Sequence, residues 1–328
     1  MDISHRIVST ASKVVNVASV PQRSPFRYPG GKTWLVPYVR NWLGSLPQGP
    51  RVLVEPFAGG AIIGLTVAAE GLAKEVILGE LDHAVAAVWR TILEDDVEWL
   101  IERILAFDVS RCNVIRTLRR PAETTRELAF QTLLRNRVQR GGILAPGASL
   151  VKSGENGRGV ASRWYAQTLA RRIRTIAAEK ERTQFVEGDA LDLINRFTHR
   201  ATAAFFIDPP YTAGGKRAGS RLYAHNIVDH PLLFATMKKA KGAVMLTYDD
   251  APEVRRLARR HGFLVEEVPM KNTHHAVVHE LVITNIGSCL ARWGQSQSPV
   301  FPQRVCEKSY PSRARKEAVR YPPRKTAP

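Results

Sequence analysis

The stretch Ala203-Ala-Phe-Phe-Ile-Asp-Pro-Pro-Tyr211 decides the fold. Five apolar residues in a row, cut off by two prolines that lack N–H donors, have the length and boundary of a strand buried on both faces. The same figure, a short apolar run followed by a helix-like stretch, occurs earlier at Arg51-Val-Leu-Val-Glu55 and Glu75-Val-Ile-Leu-Gly-Glu80. It returns at residues 183–187, 243–248 and 263–268, with helical stretches at 231–241 and 251–261 between them. Strands alternating with helices predict a doubly wound α/β fold with a mostly parallel sheet. The run at 279–285 follows 263–268 after a connection too short for a crossover helix, so these two should pair as an antiparallel hairpin. One strand at the sheet edge is therefore expected to be reversed.

Outward from this frame the chain divides by composition. Residues 1–24 read as a loose leader, 25–108 and 182–286 as the sheet domain, and 109–181 as a helical insert rich in Gly and Arg. Within the insert, residues 135–174 hold nine basic side chains against one acidic. The sub-stretch Ser153-Gly-Glu-Asn-Gly-Arg-Gly159 has nothing to bury and is expected to be mobile. From 287 to 328 the chain turns to Pro, Ser and Arg, with nine basic and two acidic residues, which reads as a disordered basic tail.

The 328 residues are enough for a core without staples, and 44% hydrophobic with 24% charged residues is an ordinary globular balance. No apolar run is long enough to span a membrane, so no membrane partner is expected. A net charge of +18 points to a polyanion, with nucleic acid first. Cys112, Cys289 and Cys306 are far apart and form no C-x-x-C pair, which argues against a cysteine metal site and fits a reducing, cytoplasmic compartment. His274, His275, His279 and Glu280 do not build one ligand face, so no metal is expected.

Asp208-Pro-Pro-Tyr211 falls at the carboxyl end of a strand, where open α/β sheets bind ligands. A stiff turn is one reading. The chemical one is that an exocyclic base amine is a poor nucleophile, because its lone pair is conjugated into the ring. A carboxylate (Asp208) and free backbone carbonyls at Pro209 and Pro210, accepting the amine hydrogens, would localise that lone pair. Tyr211 offers a stacking face for a base taken out of its helix.

Glu55-Pro-Phe-Ala-Gly-Gly-Ala61 follows the first strand and opens a helix, so Phe57, Ala58, Gly59 and Gly60 allow close backbone approach of a ligand. The G-x-G-x-x-G spacing of a dinucleotide loop is missing. Glu80 ends the second strand, from which a carboxylate can reach ribose hydroxyls. Asp189, at the end of the third, can meet an adenine amine or cap a helix. Phe26-Arg-Tyr-Pro-Gly-Gly-Lys32 has Phe26 where a phosphate loop needs glycine; it leaves Tyr28 as a ring and Lys32 as a cation for a small carboxylate.

In this order, FRYPGGK, EPFAGGA, Glu80, Gly188-Asp189 and DPPY, the chain resembles the Dam-type (D12 class, α-order) DNA adenine N6-methyltransferases. Leu246-Thr-Tyr-Asp-Asp250 and Glu280-Leu-Val-Ile-Thr-Asn285 add to the likeness. The resemblance implies a Rossmann-like methyltransferase sheet, S-adenosyl-L-methionine as donor, and base flipping from double-stranded DNA. It implies Tyr28 and Lys32 as donor contacts, Lys32 near the methionine carboxylate, and Phe57 to Gly60 as the donor's cradle. Glu80 is implied at the ribose, Asp189 at the adenine, and Asp208 at both the donor's amino group and the target amine.

The basic insert corresponds to the family's target-recognition region. There Arg135, Arg137, Gln139 and Arg140 are side chains of the kinds that read base edges or hold phosphates, and Lys152 and Arg163 are further DNA-contact candidates. A monomer associated with the nucleoid, encoded by a bacterium or phage, is the corresponding expectation.

Overall fold

The computed structural model describes residues 14–27, 31–94, 96–144, 147–211, 228–271 and 276–286. Tyr28, the tail from 287 and the pair His274 and His275 lie outside the described residues.

Seven strands form one sheet: β1 (Val52–Glu55), β2 (Glu75–Glu80), β3 (Thr183–Glu187), β4 (Ala203–Ile207), β5 (Ala243–Asp249), β6 (Leu264–Lys271) and β7 (Val277–Thr284). Their order is β3-β2-β1-β4-β5-β7-β6. All neighbours are parallel except β7, which runs against both β5 and β6. This is the Rossmann-like sheet with a reversed last strand that the sequence predicts.

Alternation along the central strands sends successive residues to opposite faces. Leu53, Leu78, Ala204, Phe206 and Met245 enter one apolar cluster, while Val52, Val54, Ile77, Phe205 and Ile207 enter the other. The first face is covered by α1 (Val36–Gly44), α2 (Ile62–Glu70) and α3 (His83–Leu93). The second is covered by α8 (Ala190–Phe197), α9 (His230–Lys238) and α10 (Pro252–His261).

The insert carries α5 (Arg111–Arg119), α6 (Thr125–Val138) and α7 (Ala166–Ala177), preceded by α4 (Val97–Ala106). These helices share the first cluster, for Phe130, Leu133, Leu134, Val138, Leu169 and Ile173 are all buried in it with Trp89 and Ile101. Phe130 packs edge-on against Phe107 at 5.2 Å and Trp164 at 6.2 Å. At roughly 1.5–3 kcal/mol per fully buried large side chain, this packing makes the insert part of the main core.

One expectation changes. The chain before Pro25 is not wholly loose: Val20 is buried in the core, Arg23 pairs with Glu70 at 3.1 Å, and the Ser24 carbonyl accepts from Arg172 at 3.2 Å. An apolar side chain and a carbonyl with a cationic partner give this segment something to bind. The glycine-rich 153–159 stretch closes on itself, with the Gly159 N–H donating to the Ser153 carbonyl at 2.7 Å. Gly154, at φ +65°, makes that turn, and a Cβ there would stand 2.4 Å from the Gly159 carbonyl oxygen.

Candidate active site

The carboxyl ends of β1, β2, β3 and β4 open on a cavity of about 570 Å³, a size suited to a nucleoside-bearing small molecule. Its lining includes Lys32, Phe57 to Gly60, Glu80, Asp189, Asp208 and Pro210. These sequence-derived candidates, from Lys32 to Pro210, are thus brought to one place because most of them end strands or open helices along one sheet.

The loop after β1 is tied to β2 at two levels. The Ala58 N–H donates to the Gly79 carbonyl at 2.8 Å, and the Gly59 N–H donates to Glu80 Oε2 at 2.9 Å. Glu80 Oε1 accepts from the N–H groups of Leu81 and Asp82, both at 2.9 Å. Trp89 Nε1 closes the loop from α3 by donating to the Gly59 carbonyl at 3.1 Å. Gly59 at φ +46° and Ala61 at φ +49° make the sharp turn into α2. Ala61 is a non-glycine residue in the left-handed region, a backbone cost that the surrounding bonds must hold. Glu80 therefore braces the loop as well as facing the cavity. Burial raises its carboxyl above the usual range despite the three N–H donors.

Asp189 caps α8, accepting from Leu191 N–H at 2.8 Å and Asp192 N–H at 3.2 Å through Oδ1. The capping reading holds, and the exposed side chain still borders the cavity.

At the end of β4, Asp208 Oδ1 is crowded with donors. Thr247 Oγ1 reaches it at 2.7 Å, the Tyr211 hydroxyl at 2.9 Å and Lys32 Nζ at 3.1 Å. Among the described residues, none donates to Oδ2. Lys32 is 4% exposed and also stands 3.5 Å from Glu280 Oε2. Its ammonium is held by two protein carboxylates, and the residue also lines the cavity in which the resemblance implies the donor's carboxylate. Tyr211 differs as well: its ring already stacks on Tyr248 (5.8 Å between centroids, 25°) and carries Lys32 Nζ 4.8 Å from its centre. Its hydroxyl joins Asp208 and Glu280, a role that a stacking face alone does not include.

Glu55, the last residue of β1, is buried and accepts from the Gly64 N–H at 2.6 Å. Burial, reinforced by nearby Asp208, pushes its carboxyl well above the usual range. Sequence reasoning quotes Glu55 within its motif without giving it work, and it passes over Thr247 and assigns Glu280 no role. The available signal is an acid inside the apolar run from Val277 to Thr284.

The insert candidates separate by exposure. Arg140 and Lys152 are exposed, and Arg135, Gln139 and Arg163 are partly so. Arg137 is 6% exposed, donates to the Pro25 carbonyl and borders the cavity, so it faces inward and does not present an edge for reading bases. Burial, then the charges of Arg172 and Arg27, lower its guanidinium to about 10, still cationic at neutral pH. Beside it Asn136 pins the strip before Lys32, accepting from Arg27 N–H at 2.8 Å and donating to the Arg27 carbonyl at 3.1 Å.

Residues 28–114 match the D12 class N6 adenine-specific DNA methyltransferases. The matched stretch carries the Lys32 motif, the Glu55 loop and Glu80; Asp208 lies beyond it. Match and fold support a methyltransferase that uses S-adenosyl-L-methionine. No curated protein sequence gives a significant match.

Among solved structures, a Pyrococcus horikoshii protein described as a candidate RNA methyltransferase is 14% identical, with 83% of this chain and 91% of that one covered at a TM-score of 0.33. A precorrin-6y C5,15-methyltransferase from Geobacter metallireducens is 11% identical, with 78% and 89% covered at a TM-score of 0.33. Similarity at this level describes neither activity nor substrate for this chain. No helix among the described residues is long and apolar enough to cross a membrane.

Proposed function

We propose that the protein methylates N6 of an adenine flipped out of duplex DNA. The observation that carries this reading is Asp208: Oδ1 is filled by Thr247, Tyr211 and Lys32, and the residue borders the same cavity as Glu80 and the Gly59 loop. A carboxylate fixed from behind presents its second oxygen as an acceptor for an amine hydrogen. The carbonyls beside Pro209 and Pro210 are the candidates for the other hydrogen, since prolines bring no N–H of their own to compete.

The donor set suits S-adenosyl-L-methionine: carboxylates at Glu80 and Asp189 for hydroxyls and an amine, the Gly59–Gly60 backbone for close approach, and Phe57 as an apolar wall. When bound, that molecule supplies a methyl group on a sulfonium. Asp208 localises the amine's lone pair toward the methyl carbon, and the preorganised site spares the reorganisation that water would require. The surplus proton on N6 after transfer leaves toward the Asp208 carboxylate.

Arg135, Gln139, Arg140, Lys152 and Arg163 are the candidates for contact with DNA, and the net charge of +18 favours that partner. The leading aspartate of DPPY, where cytosine-N4 enzymes resemble S-P-P-Y, favours adenine. The test is incubation of the purified protein with donor labelled in the methyl group and, separately, duplex DNA, single-stranded DNA and RNA. Label in N6-methyldeoxyadenosine from the duplex is expected; label confined to RNA, or to N4-methylcytosine, overturns the reading.

A further inference from the structure

We infer that Glu280 is a positioning residue for methyl transfer, acting on Asp208 through Lys32 and Tyr211; this rests on the function proposed above. Glu280 sits on the reversed strand β7, opposite Asp249 of β5 and Val268 of β6, and is followed by buried Leu281, Val282 and Ile283. An acid 7% exposed in such a strand is costly unless paired, and a hydrophobic residue would fill the place more cheaply. Its partners are the ones that hold the reacting carboxylate. Lys32 Nζ lies 3.1 Å from Asp208 Oδ1 and 3.5 Å from Glu280 Oε2, and the Tyr211 hydroxyl lies 2.9 Å and 3.2 Å from the same two atoms. Four side chains close a ring in which two carboxylates share one cation and one phenol. Glu280 does not line the cavity, so whatever it does for the reaction passes through the other three.

The charge count gives the ring its effect. With Glu280 ionised, the single Lys32 cation is divided between two anions, and Asp208 keeps much of its strength as an acceptor for the amine. With that charge removed, Lys32 turns fully to Asp208 and draws it away from the amine. The phenol likewise has one proton for two acceptors, and losing Glu280 as a charged acceptor commits that proton to Asp208.

Glu280→Gln keeps the shape and removes the charge. In single-turnover methylation of duplex DNA with saturating donor, it should slow transfer about tenfold or more, while the donor dissociation constant by calorimetry stays within about twofold. Glu280→Asp, which keeps the charge one methylene short, should recover part of the rate. Tyr211→Phe should slow transfer too, and combining it with Glu280→Gln should cost less than the product of the two losses, because both act on one oxygen. A Glu280→Gln rate within twofold of the parent, a matching fall in donor affinity, or independent effects of the two changes would overturn the role of Glu280 alone. A parent protein that transfers no methyl to any adenine would instead remove the function on which that role rests.

Discussion

Lys32 Nζ stands 3.1 Å from Asp208 Oδ1 although the two residues lie 176 positions apart, one in the 3-10 turn before α1 and one at the tip of β4. The contact gives a lysine that reads as a cation for a ligand two acid partners within the protein itself. Removing one member of a buried ion pair leaves uncompensated charge, at a cost of about 3–5 kcal/mol, and the partial exposure of Asp208 argues for the low end. Lys32→Met should therefore lower stability in urea by about 3 kcal/mol at neutral pH. The loss should shrink in acid, where Glu280, held above the usual range mainly by burial, takes up a proton. Equal loss at both pH values would contradict the pairing.

Glu80→Asp is expected to be damaging. The shorter side chain withdraws a carboxylate that serves the N–H groups of Gly59, Leu81 and Asp82 at once. Charge-assisted bonds of this kind are worth about 1.5–3 kcal/mol each. A weaker donor titration together with a lower melting temperature is the expected result; a variant that matches the parent in both would show that the Gly59 loop stands without its brace.

Glu55 gives a pH dependence of known sign. Its carboxyl is raised well above the usual range in the fold, so the folded state holds the proton that the unfolded chain has already lost. Its stabilising contribution is full below the unfolded value near 4.5 and is lost as pH rises through the raised folded value. Glu55→Gln cannot ionise, so its stability relative to the parent should improve from about pH 5 to about pH 8 in urea titrations. A difference that stays flat would remove the buried charge from the account. Glu70, Glu80 and Glu280, whose values also shift, are present in both proteins and cancel.

Arg140→Ala or Arg135→Ala should change DNA binding in one of two ways. A base-reading side chain relaxes preference at one position at a cost of about 1–3 kcal/mol, whereas a phosphate contact weakens all sequences and lowers the salt slope by about one. Arg137→Ala should behave differently from both. It leaves the Pro25 carbonyl without its buried donor, so the expected readout is lost thermal stability with an unaltered sequence preference. A shifted methylation motif in that variant would return Arg137 to the recognition surface.

What the sequence made legible and what it hid have separate physical causes. β2, β3 and β4 fall at 75–80, 183–187 and 203–207 as expected, since apolar runs bounded by turn residues are local signals. The reversed strand was legible from a connection too short for a crossover. Phe57, Glu80, Asp189 and Asp208 were legible as neighbours around one cavity because each ends a strand or opens a turn at the carboxyl edge of the sheet. Lys32 with Glu280 and Arg137 with Pro25 were not, because these partners are brought together only by tertiary packing. Nothing local distinguishes a lysine that awaits a ligand from one that already faces two acids. Three arginines near a helix end likewise look alike until packing turns one of them inward.

The measurement that bears most directly on the central claim is nucleoside mass spectrometry of DNA from cells expressing either the parent or Asp208→Ala. N6-methyldeoxyadenosine should accumulate with the parent and be absent with the variant, while the two proteins bind DNA with affinities within about threefold, because Asp208 acts on the amine and not on phosphates. N6-methyldeoxyadenosine at equal levels with both proteins, or with neither, would contradict it.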